Sequence, residues 1–398
     1  MLSKLYSQNI GSRSVIRECF EYSKKRAAEI GAENVFDFSI GNPSVPPPPS
    51  VDKALEDILK NADPVAIHGY PSAEGIPEVR AAIAENLNER YGTDYTSSNI
   101  FMTIGAAAAL KCCVNALTDR GCGDEIITFA PYFPEYNVYM RSADVKLVVV
   151  PADIESFQIN FDEFEKAINE HTRAVLINSP NNPSGAVYSE ETIRKLAEVL
   201  TKKQQEYGRS IYIISDEPYR EIVFKGFSVP YVPHYYDNTL VCYSYSKSLS
   251  IPGERIGYVA FTNKAEDSGI ILGVLAAAAR DLGYVGVPTT FQGVIKECAG
   301  DTSDLSIYEK NKDILYKGLI SMGYTCVEPG GTFYAFPRSL EPDASAFCEK
   351  ARKYDLVLVP GDGFGCPGHV RIAYCTDTDR VERSLEKFKL LAQDYGVI

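Results

Sequence analysis

The chain has 398 residues, of which 45% are hydrophobic, and a net charge of −13 at pH 7. This length and apolar content predict a folded protein of two domains and exclude a largely disordered chain. An acidic surface repels phosphate backbones, so we expect no nucleic-acid partner.

The sequence also lacks the signals of secretion, membrane insertion and metal binding. The first residues have no apolar signal-peptide core, and no stretch approaches the roughly 18 apolar residues that a membrane span requires. The ten cysteines form no C-x-x-C pair, which is typical of reduced cytosolic thiols. The four histidines lie far apart, so no metal site is predicted. We therefore expect a soluble, cytoplasmic protein that binds no membrane.

The N-terminal part of the chain contains two predicted helices on either side of a proline-rich segment. Residues 15–29 have a helical pattern. The prolines within 41–49 lack an N–H donor and fix φ, so this segment cannot continue a helix or a central strand. We place a domain boundary there. Pro77 suits a first helical position and opens the second helix, whose apolar residues at near-helical spacing are Val79, Ile83 and Leu87.

Apolar runs of strand length alternate with helical patterns through the middle of the chain. These runs are 126–129, 146–150, 174–177, 211–214, 240–243 and 257–261. Because they are apolar throughout rather than alternating, they favour strands that are covered on both faces by helices. The predicted fold is therefore an α/β domain with a mostly parallel sheet.

The pattern changes after about residue 288. A long helical stretch (305–322) is followed by strand-like 331–336, helix-like 344–354, and strand-like 356–359 and 370–374. We interpret this part as a smaller α+β domain that both termini form together. The predicted division is a large domain at 46–288 and a small domain made of 1–45 and 289–398.

Three polar residues follow three successive predicted strands of the large domain. Asp216 comes directly after 211–215, Asn182 comes after the run at 174–177, and Lys247 follows 240–243 within a serine-rich turn. In open α/β sheets, ligands bind outside the carboxyl ends of the strands. A desolvated lysine can attack a carbonyl, and nearby serines and Arg255 can hold a phosphate. This chemistry predicts pyridoxal phosphate, bound to Lys247 as a Schiff base.

Seven ordered motifs connect these residues with a known family. They are Ile40-Gly-Asn-Pro, Tyr70-Pro-Ser-Ala-Glu-Gly-Ile-Pro77, Ala130-Pro-Tyr-Phe-Pro-Glu-Tyr136, Asn181-Asn-Pro-Ser-Gly185, Ser215-Asp-Glu-Pro-Tyr219, Ser244-Tyr-Ser-Lys247 with Arg255, and Val370-Arg-Ile372. From about Phe38 to Tyr374 the chain resembles the class I/II aminotransferases, which are fold-type-I pyridoxal-phosphate enzymes of the aspartate aminotransferase type.

This resemblance implies a role for each residue around the cofactor ring. Lys247 matches the lysine that forms the Schiff base and later moves a proton between the substrate Cα and the cofactor. Asp216 matches the carboxylate that keeps the pyridine nitrogen protonated. Tyr219 and Asn182 match hydrogen-bond donors to the ring O3′, and Phe133 matches the aromatic side chain stacked on the ring.

The resemblance also implies a phosphate site, which departs from the family pattern in one place. The residues that match it are Arg255, Ser244, Ser246 and the loop Gly105, Ala106 and Ala107 at the start of a helix. Backbone N–H groups at a helix N-terminus bind anions, but the alanines offer no hydroxyl or amide where relatives often place one. Tyr70 matches a tyrosine that reaches the cofactor phosphate of the neighbouring subunit, which implies a homodimer.

The substrates that the resemblance implies are an L-amino acid and a 2-oxo acid, between which an amino group moves. Arg371 matches the arginine that binds the substrate α-carboxylate. Asn182 and Gly41 match residues beside that carboxylate. An acidic substrate side chain would need a second cation, and Arg280 or basic residues near the N-terminus are candidates.

Other functions stay open at this stage. A pyridoxal-phosphate-dependent β-eliminating C–S lyase has the same cofactor-binding residues, which do not decide which bond at Cα breaks. A cofactor-sensing regulator is disfavoured, because no basic helix-turn-helix segment precedes Phe38. A nicotinamide dehydrogenase is disfavoured because no G-x-G-x-x-G follows a first strand.

Overall fold

The structure is a computed structural model, which describes residues 2–4, 6–7 and 15–398. From residue 15 onward the α-helices are, in chain order, α1 Val15–Ile30, α2 Pro49–Asn61, α3 Pro64–His68, α4 Pro77–Tyr91, α5 Ala106–Leu117, α6 Tyr136–Ala143, α7 Phe161–Ala167, α8 Glu190–Tyr207, α9 Tyr245–Ser248, α10 Ser268–Asp281, α11 Thr289–Cys298, α12 Ser306–Ser321, α13 Ala344–Ala351 and α14 Thr378–Asp394.

The strands of the described residues are β1 Phe36–Asp37, β2 Ile100–Thr103, β3 Glu125–Phe129, β4 Lys146–Val150, β5 Thr172–Asn178, β6 Tyr212–Asp216, β7 Thr239–Ser244, β8 Gly257–Phe261, β9 Tyr334–Ala335, β10 Leu356–Val357, β11 Val359–Pro360 and β12 Val370–Ala373. Each strand-length run predicted between 126 and 261 corresponds to one of β3 to β8. None of the described helices is long and apolar enough to cross a bilayer.

A seven-stranded sheet forms the centre of the molecule, in the order β2-β8-β7-β6-β5-β3-β4. Its neighbouring strands are parallel except at β8, which runs antiparallel to both β2 and β7. The predicted α/β class with a mostly parallel sheet is confirmed. Strand β2 was not predicted from the sequence.

Helices cover both faces of this sheet, since successive side chains of each strand point to opposite sides. On β6, Ile214 packs with Val114 of α5 and Leu275 of α10. Its neighbour Ile213 packs with Leu196 of α8 on the other face. Central strands that are buried on both sides therefore have no polar face, which is the pattern seen in the sequence.

The two ends of the chain pack together beside this sheet. Strand β1, near the N-terminus, pairs in parallel with β10, and β11, β12 and β9 form a small antiparallel sheet. Phe36, Ile372 and Phe388 lie in one apolar cluster with α12 to α14. The division at residues 46 and 288 stays a prediction. Helix α11, which begins at Thr289, packs against α2 and α4.

Two predicted strands of the C-terminal part are shorter than the sequence pattern indicated. Residues 356–359 form two strands, β10 and β11, which belong to different sheets. Within 331–336 only Tyr334–Ala335 is a strand, because Thr332 has a φ of 63°. A β-branched residue in this left-handed region interrupts an extended backbone.

Candidate active site

The carboxyl ends of β5, β6 and β7 lie at the same edge of the sheet, where β7 continues past Cys242 to Ser244. These strands are adjacent and parallel, and the register places Asn178 beside Asp216 and Asp216 beside Cys242. Residues that leave these strand ends therefore meet at one edge of the sheet, where ligands bind in open α/β sheets.

A cavity of ≈ 350 Å³ lies at this edge. The predicted site residues in its wall are Gly41, Ala106, Ala107, Phe133, Asn182, Asp216, Tyr219, Ser244, Ser246, Lys247, Arg255 and Arg371. Residues in its wall for which the sequence indicated no role are Ile16, Ile40, Leu110, Tyr139, Asn178, Pro218, Pro252 and Tyr334. The structure thus brings together side chains that are separated by more than half of the sequence.

Lys247 enters the cavity from α9, the single helical turn that follows β7. Its Nζ donates to the carbonyl oxygen of Gly41 at 2.8 Å. Burial lowers the pKa of Lys247 to about 8; nearby Cys375 opposes this shift, while Arg255 reinforces it. A lysine with such a pKa carries a sizeable neutral fraction near pH 7 and can act as a nucleophile.

Asp216 ends β6 and is only 5% exposed. Its Oδ2 accepts a hydrogen bond of 2.6 Å from the Tyr136 hydroxyl. Its Oδ1 is buried and has no partner among the described residues. Burial raises the pKa of Asp216 to about 7, while the Tyr136 hydrogen bond acts in the opposite direction. Because an unpaired buried carboxylate oxygen is costly, this atom fits a cationic N–H donor such as a protonated pyridine nitrogen.

Tyr334 connects residues on several sides of the cavity. Its hydroxyl lies 3.1 Å from the Tyr219 hydroxyl, and a Cβ at Gly41 would collide with it. The guanidinium of Arg371 lies over its ring, 4.9 Å from the centroid. Position 41 therefore requires a glycine, because the Tyr334 side chain leaves no room for a Cβ. Tyr334 itself was not predicted to belong to the site.

Arg371 lies on β12 and is 2% exposed. Its Nη1 donates to Asn182 Oδ1 at 3.2 Å and its Nη2 donates to the carbonyl oxygen of Ser39. Its Nε has no partner, and no carboxylate of the described residues forms an ion pair with it. A buried guanidinium without an acidic partner suits a carboxylate ligand.

Three kinds of anion-binding group lie close together at the start of α5. The Ser244 and Ser246 hydroxyl oxygens are 2.8 Å apart. Gly105 precedes the helix with a φ of 87°, and a Cβ there would lie 2.8 Å from Arg255 Nη2. Backbone N–H groups of the first helical turn have no partner within the helix. These hydroxyls, amides and the guanidinium can hold a phosphate, although Ala106 and Ala107 add no side-chain donor.

Three residues named from the sequence are absent from the wall of this cavity. One is Gly105, which directly precedes the wall residue Ala106. Tyr70 is 99% exposed and does not contribute to the cavity wall of its own chain. Arg280, in the last turn of α10, is exposed and is likewise absent from the wall. No cluster of histidine, cysteine, aspartate or glutamate in the described ranges could hold a metal ion.

The fold and the cavity define a class of protein: an α/β enzyme with a buried lysine, a buried carboxylate and anion-binding side chains in the wall of one cavity. The family model for aminotransferase class I and II matches residues 33–388. The chain therefore belongs to the class I and II aminotransferases.

Individual relatives agree with this assignment. The chain is 31% identical to the aspartate aminotransferase of Thermotoga maritima, over 92% of this chain and 94% of that protein. It is 31% identical to the aspartate aminotransferase of Pyrococcus horikoshii, over 94% and 95% of the two chains. A crystal structure of an aminotransferase from Eubacterium rectale has a TM-score of 0.96 and 54% identity, with 99% of each chain covered.

The protein is thus a pyridoxal-phosphate-dependent aminotransferase, as the sequence motifs predicted. The relatives named above are aminotransferases, so they give no support to the alternative of a C–S lyase. The orphaned Oδ1 of Asp216, the lysine with a lowered pKa and the anion-binding groups fit this cofactor.

Proposed function

We propose that the enzyme moves an amino group between an L-amino acid and a 2-oxo acid in the cavity between Lys247 and Arg371, with the cofactor joined to Lys247 Nζ as a Schiff base. The observation that carries this proposal is the buried, unpaired Oδ1 of Asp216 in the wall of the same cavity as Lys247. When bound, pyridoxal phosphate supplies an electron sink for the negative charge that develops at the substrate Cα.

Each residue around the cofactor ring is proposed to contact a particular part of the cofactor or the substrate. Asp216 accepts from the pyridine N–H and so keeps that nitrogen protonated. Tyr219 and Asn182 donate toward O3′, and Phe133 packs on the ring. Lys247, as a neutral amine within the cavity, would accept the proton from the substrate Cα.

At the other end of the cofactor, the phosphate would be held by the anion-binding groups at the start of α5. Arg255 offers its guanidinium, and Ser244 and Ser246 offer hydroxyls. Gly105, Ala106 and Ala107 offer backbone N–H groups. Since the alanines lack side-chain donors, the start of α5 contributes only backbone N–H groups, and Arg255 and the two serines supply the side-chain donors.

The reaction class can be tested directly with the purified protein. Incubation with an L-amino acid and 2-oxoglutarate should yield L-glutamate and the 2-oxo acid derived from the donor. Release of ammonia and pyruvate without an acceptor would contradict the proposal and support the lyase. Aspartate is the first donor to test, because the relatives from T. maritima and P. horikoshii are named aspartate aminotransferases.

The charges in the cavity bear on that choice of donor. Among the described residues, the cations in the wall are Lys247, Arg255 and Arg371, and the proposed roles use all three. An acidic substrate side chain therefore needs a cation from outside this set. A comparison of aspartate with neutral donors against the same acceptor reports whether such a cation is present.

Arg371 is proposed to bind the substrate α-carboxylate beside Asn182 and Gly41. We expect Arg371→Lys to raise KM for the amino acid by roughly tenfold to a hundredfold, because one ammonium replaces a two-pronged, charge-assisted donor. Steady-state kinetics with one donor would measure this. Arg280→Lys is the matched control, since Arg280 lies outside the cavity wall. An unchanged KM in Arg371→Lys would contradict the role.

We also propose that the active unit is a homodimer in which Tyr70 reaches the neighbouring cofactor phosphate. Tyr70, Val65 and Val285 are 99%, 79% and 50% exposed. The segments that carry them are in contact, because Thr289 Oγ1 donates to the carbonyl oxygen of Gly69 at 2.9 Å. Exposed apolar side chains grouped in this way are typical of a protein interface.

Mixing two variants distinguishes a shared site from a self-contained one. Tyr70→Phe should weaken cofactor binding at sites formed between identical subunits, because the phosphate loses a hydroxyl donor. In hybrids with Lys247→Ala subunits, each Tyr70→Phe subunit regains an intact Tyr70 from its partner, so cofactor affinity and activity should recover. If Tyr70 served its own subunit, hybrids would show no recovery.

We place the enzyme in the cytoplasm. The support for this is the state of its ten cysteines, all of which are free thiols, as is usual for proteins in a reducing compartment.

A further inference from the structure

The buried tyrosine at the start of α6 is bonded to the carboxylate of the candidate site. Tyr136 is 1% exposed, and its hydroxyl donates to Asp216 Oδ2 at 2.6 Å. Hydrogen bonds from a hydroxyl to an ionised oxygen are short and about twice as strong as neutral ones. The contact therefore favours the ionised form of Asp216 in the position that the structure shows.

The ring of Tyr136 is held by other aromatic side chains. Its centroid lies 6.3 Å from that of Tyr132 in a stacked arrangement, and 5.9 Å from that of Phe133, edge to face. Because packed aromatic rings have few rotamers available, the hydroxyl has a fixed position. Tyr136 and Phe133 belong to the same short segment, and Phe133 lines the cavity.

The two carboxylate oxygens of Asp216 differ in their hydrogen bonding. Oδ2 is bonded to Tyr136, whereas Oδ1 has no partner among the described residues. The backbone is held as well, because Asn178 Nδ2 donates to the carbonyl oxygen of Asp216 at 2.8 Å. The carboxylate cannot rotate without breaking the bond to Tyr136.

We propose that Tyr136 is a positioning residue for the aminotransferase reaction: its hydroxyl holds Oδ2 of Asp216 and leaves Oδ1 for the pyridine nitrogen of the cofactor. This inference rests on the role proposed above for Asp216. Tyr136 does not touch the reacting atoms and acts through Asp216.

The charge state of Asp216 provides a readout that a merely structural role would not change. Burial raises the pKa of Asp216 to about 7, and the Tyr136 hydrogen bond opposes that rise. Removing the hydroxyl raises the pKa further, so a higher pH is needed to ionise the carboxylate of the cofactor-free protein. Titratable side chains near Asp216 are Glu217, Tyr139, Tyr219 and Cys242. Those in the wall of the same cavity also include Lys247, Arg255, Arg371 and Tyr334. The Tyr136→Phe variant keeps all of these groups.

The test compares Tyr136→Phe with Tyr132→Phe in the full-length enzyme. Tyr132 is the matched control because it is a buried tyrosine of the same segment whose hydroxyl accepts from Asn137 instead. The cofactor is removed from each protein and titrated back across a range of pH, with its absorbance as the signal. Tyr136→Phe should weaken cofactor binding by roughly tenfold to a hundredfold and move the acid midpoint of binding to higher pH. Tyr132→Phe should behave like the wild type.

A double variant keeps the test decisive if packing is disturbed. In an Asp216→Asn background, Tyr136→Phe should have no further effect on affinity, because the carboxylate through which it acts is absent. Equal losses in both tyrosine variants, or a full loss from Tyr136→Phe in the Asp216→Asn background, would overturn the proposal. A wild-type protein that binds no cofactor would instead refute the proposed function, so the two failures are distinguishable.

Discussion

Replacing Lys247 with alanine should abolish covalent binding of pyridoxal phosphate and lower kcat by roughly 10²–10⁴-fold, the contribution typical of a positioned acid–base group. The physical reason is that Lys247 is the lysine in the cavity wall, where burial lowers its pKa to about 8. Borohydride reduction of the loaded enzyme followed by peptide mass spectrometry would locate the modified residue. Wild-type protein should carry the label on Lys247, and the variant should carry none.

Lys111 provides a matched control for this experiment. It is also buried, and burial likewise lowers its pKa to about 8. Its Nζ donates to the carbonyl oxygen of Tyr139 at 2.9 Å, and it is absent from the cavity wall. Lys111→Ala should therefore retain the label and the activity of the folded enzyme. A label on Lys111, or transamination by Lys247→Ala at the wild-type rate, would contradict the assignment.

The same lowered pKa predicts how cofactor capture depends on pH. Only the neutral amine attacks the aldehyde, and the neutral fraction grows as the pH rises through the pKa of about 8. The rate at which cofactor-free protein binds pyridoxal phosphate should accordingly increase with pH and level off above that value. Stopped-flow absorbance at a series of pH values would measure it, and a flat profile between pH 7 and 9 would exclude Lys247 as the titrating nucleophile.

The second large effect is expected for Asp216→Asn. The amide is nearly isosteric but carries no charge, so it cannot keep the pyridine nitrogen protonated. We expect kcat to fall by roughly 10²–10³-fold, the range seen when one preorganised electrostatic contact is removed from an active site. The free energy of unfolding should change little, because the amide oxygen can still accept from the Tyr136 hydroxyl and Oδ1 makes no contact within the described protein.

Asp124→Asn separates this effect from the general consequence of neutralising a buried aspartate. Asp124 is 2% exposed and accepts from Arg173 Nε at 2.6 Å, outside the cavity. Breaking that pair should lower the stability and leave the kcat of the folded enzyme unchanged. An Asp216→Asn enzyme with wild-type kcat would show that the carboxylate does not act on the cofactor.

Much of the central sheet could be predicted from local pattern alone. The run at 257–261 coincides with β8, which is buried along its whole length, because a strand that is buried on both faces has an uninterrupted apolar sequence. The run at 146–150 coincides with β4, an edge strand of which only Val150 is buried. Helix α4 was predicted from Pro77 and the spacing of the apolar residues after it. The antiparallel direction of β8 was not predictable in this way, because strand direction depends on which neighbour a strand pairs with.

The residues of the candidate site likewise fall into those that the sequence could identify and those that only the structure shows. Asp216, Asn182 and Lys247 could be named because each follows a strand end and belongs to a motif. Tyr334 and Asn178 could not, since nothing in their local sequence marks a site. Tyr334 became evident only through its contacts with Tyr219 and Gly41.

The sequence by itself determined the class of fold, the family, the cofactor and the order of the residues that the cavity contains, because strand patterns and motifs are properties of short segments. Only the tertiary structure decided which side chains meet, such as Tyr136 with Asp216, and which polar atoms lack a partner. The physical reason is that these contacts join residues far apart in the chain. They depend on sheet register and on burial, which no local pattern specifies.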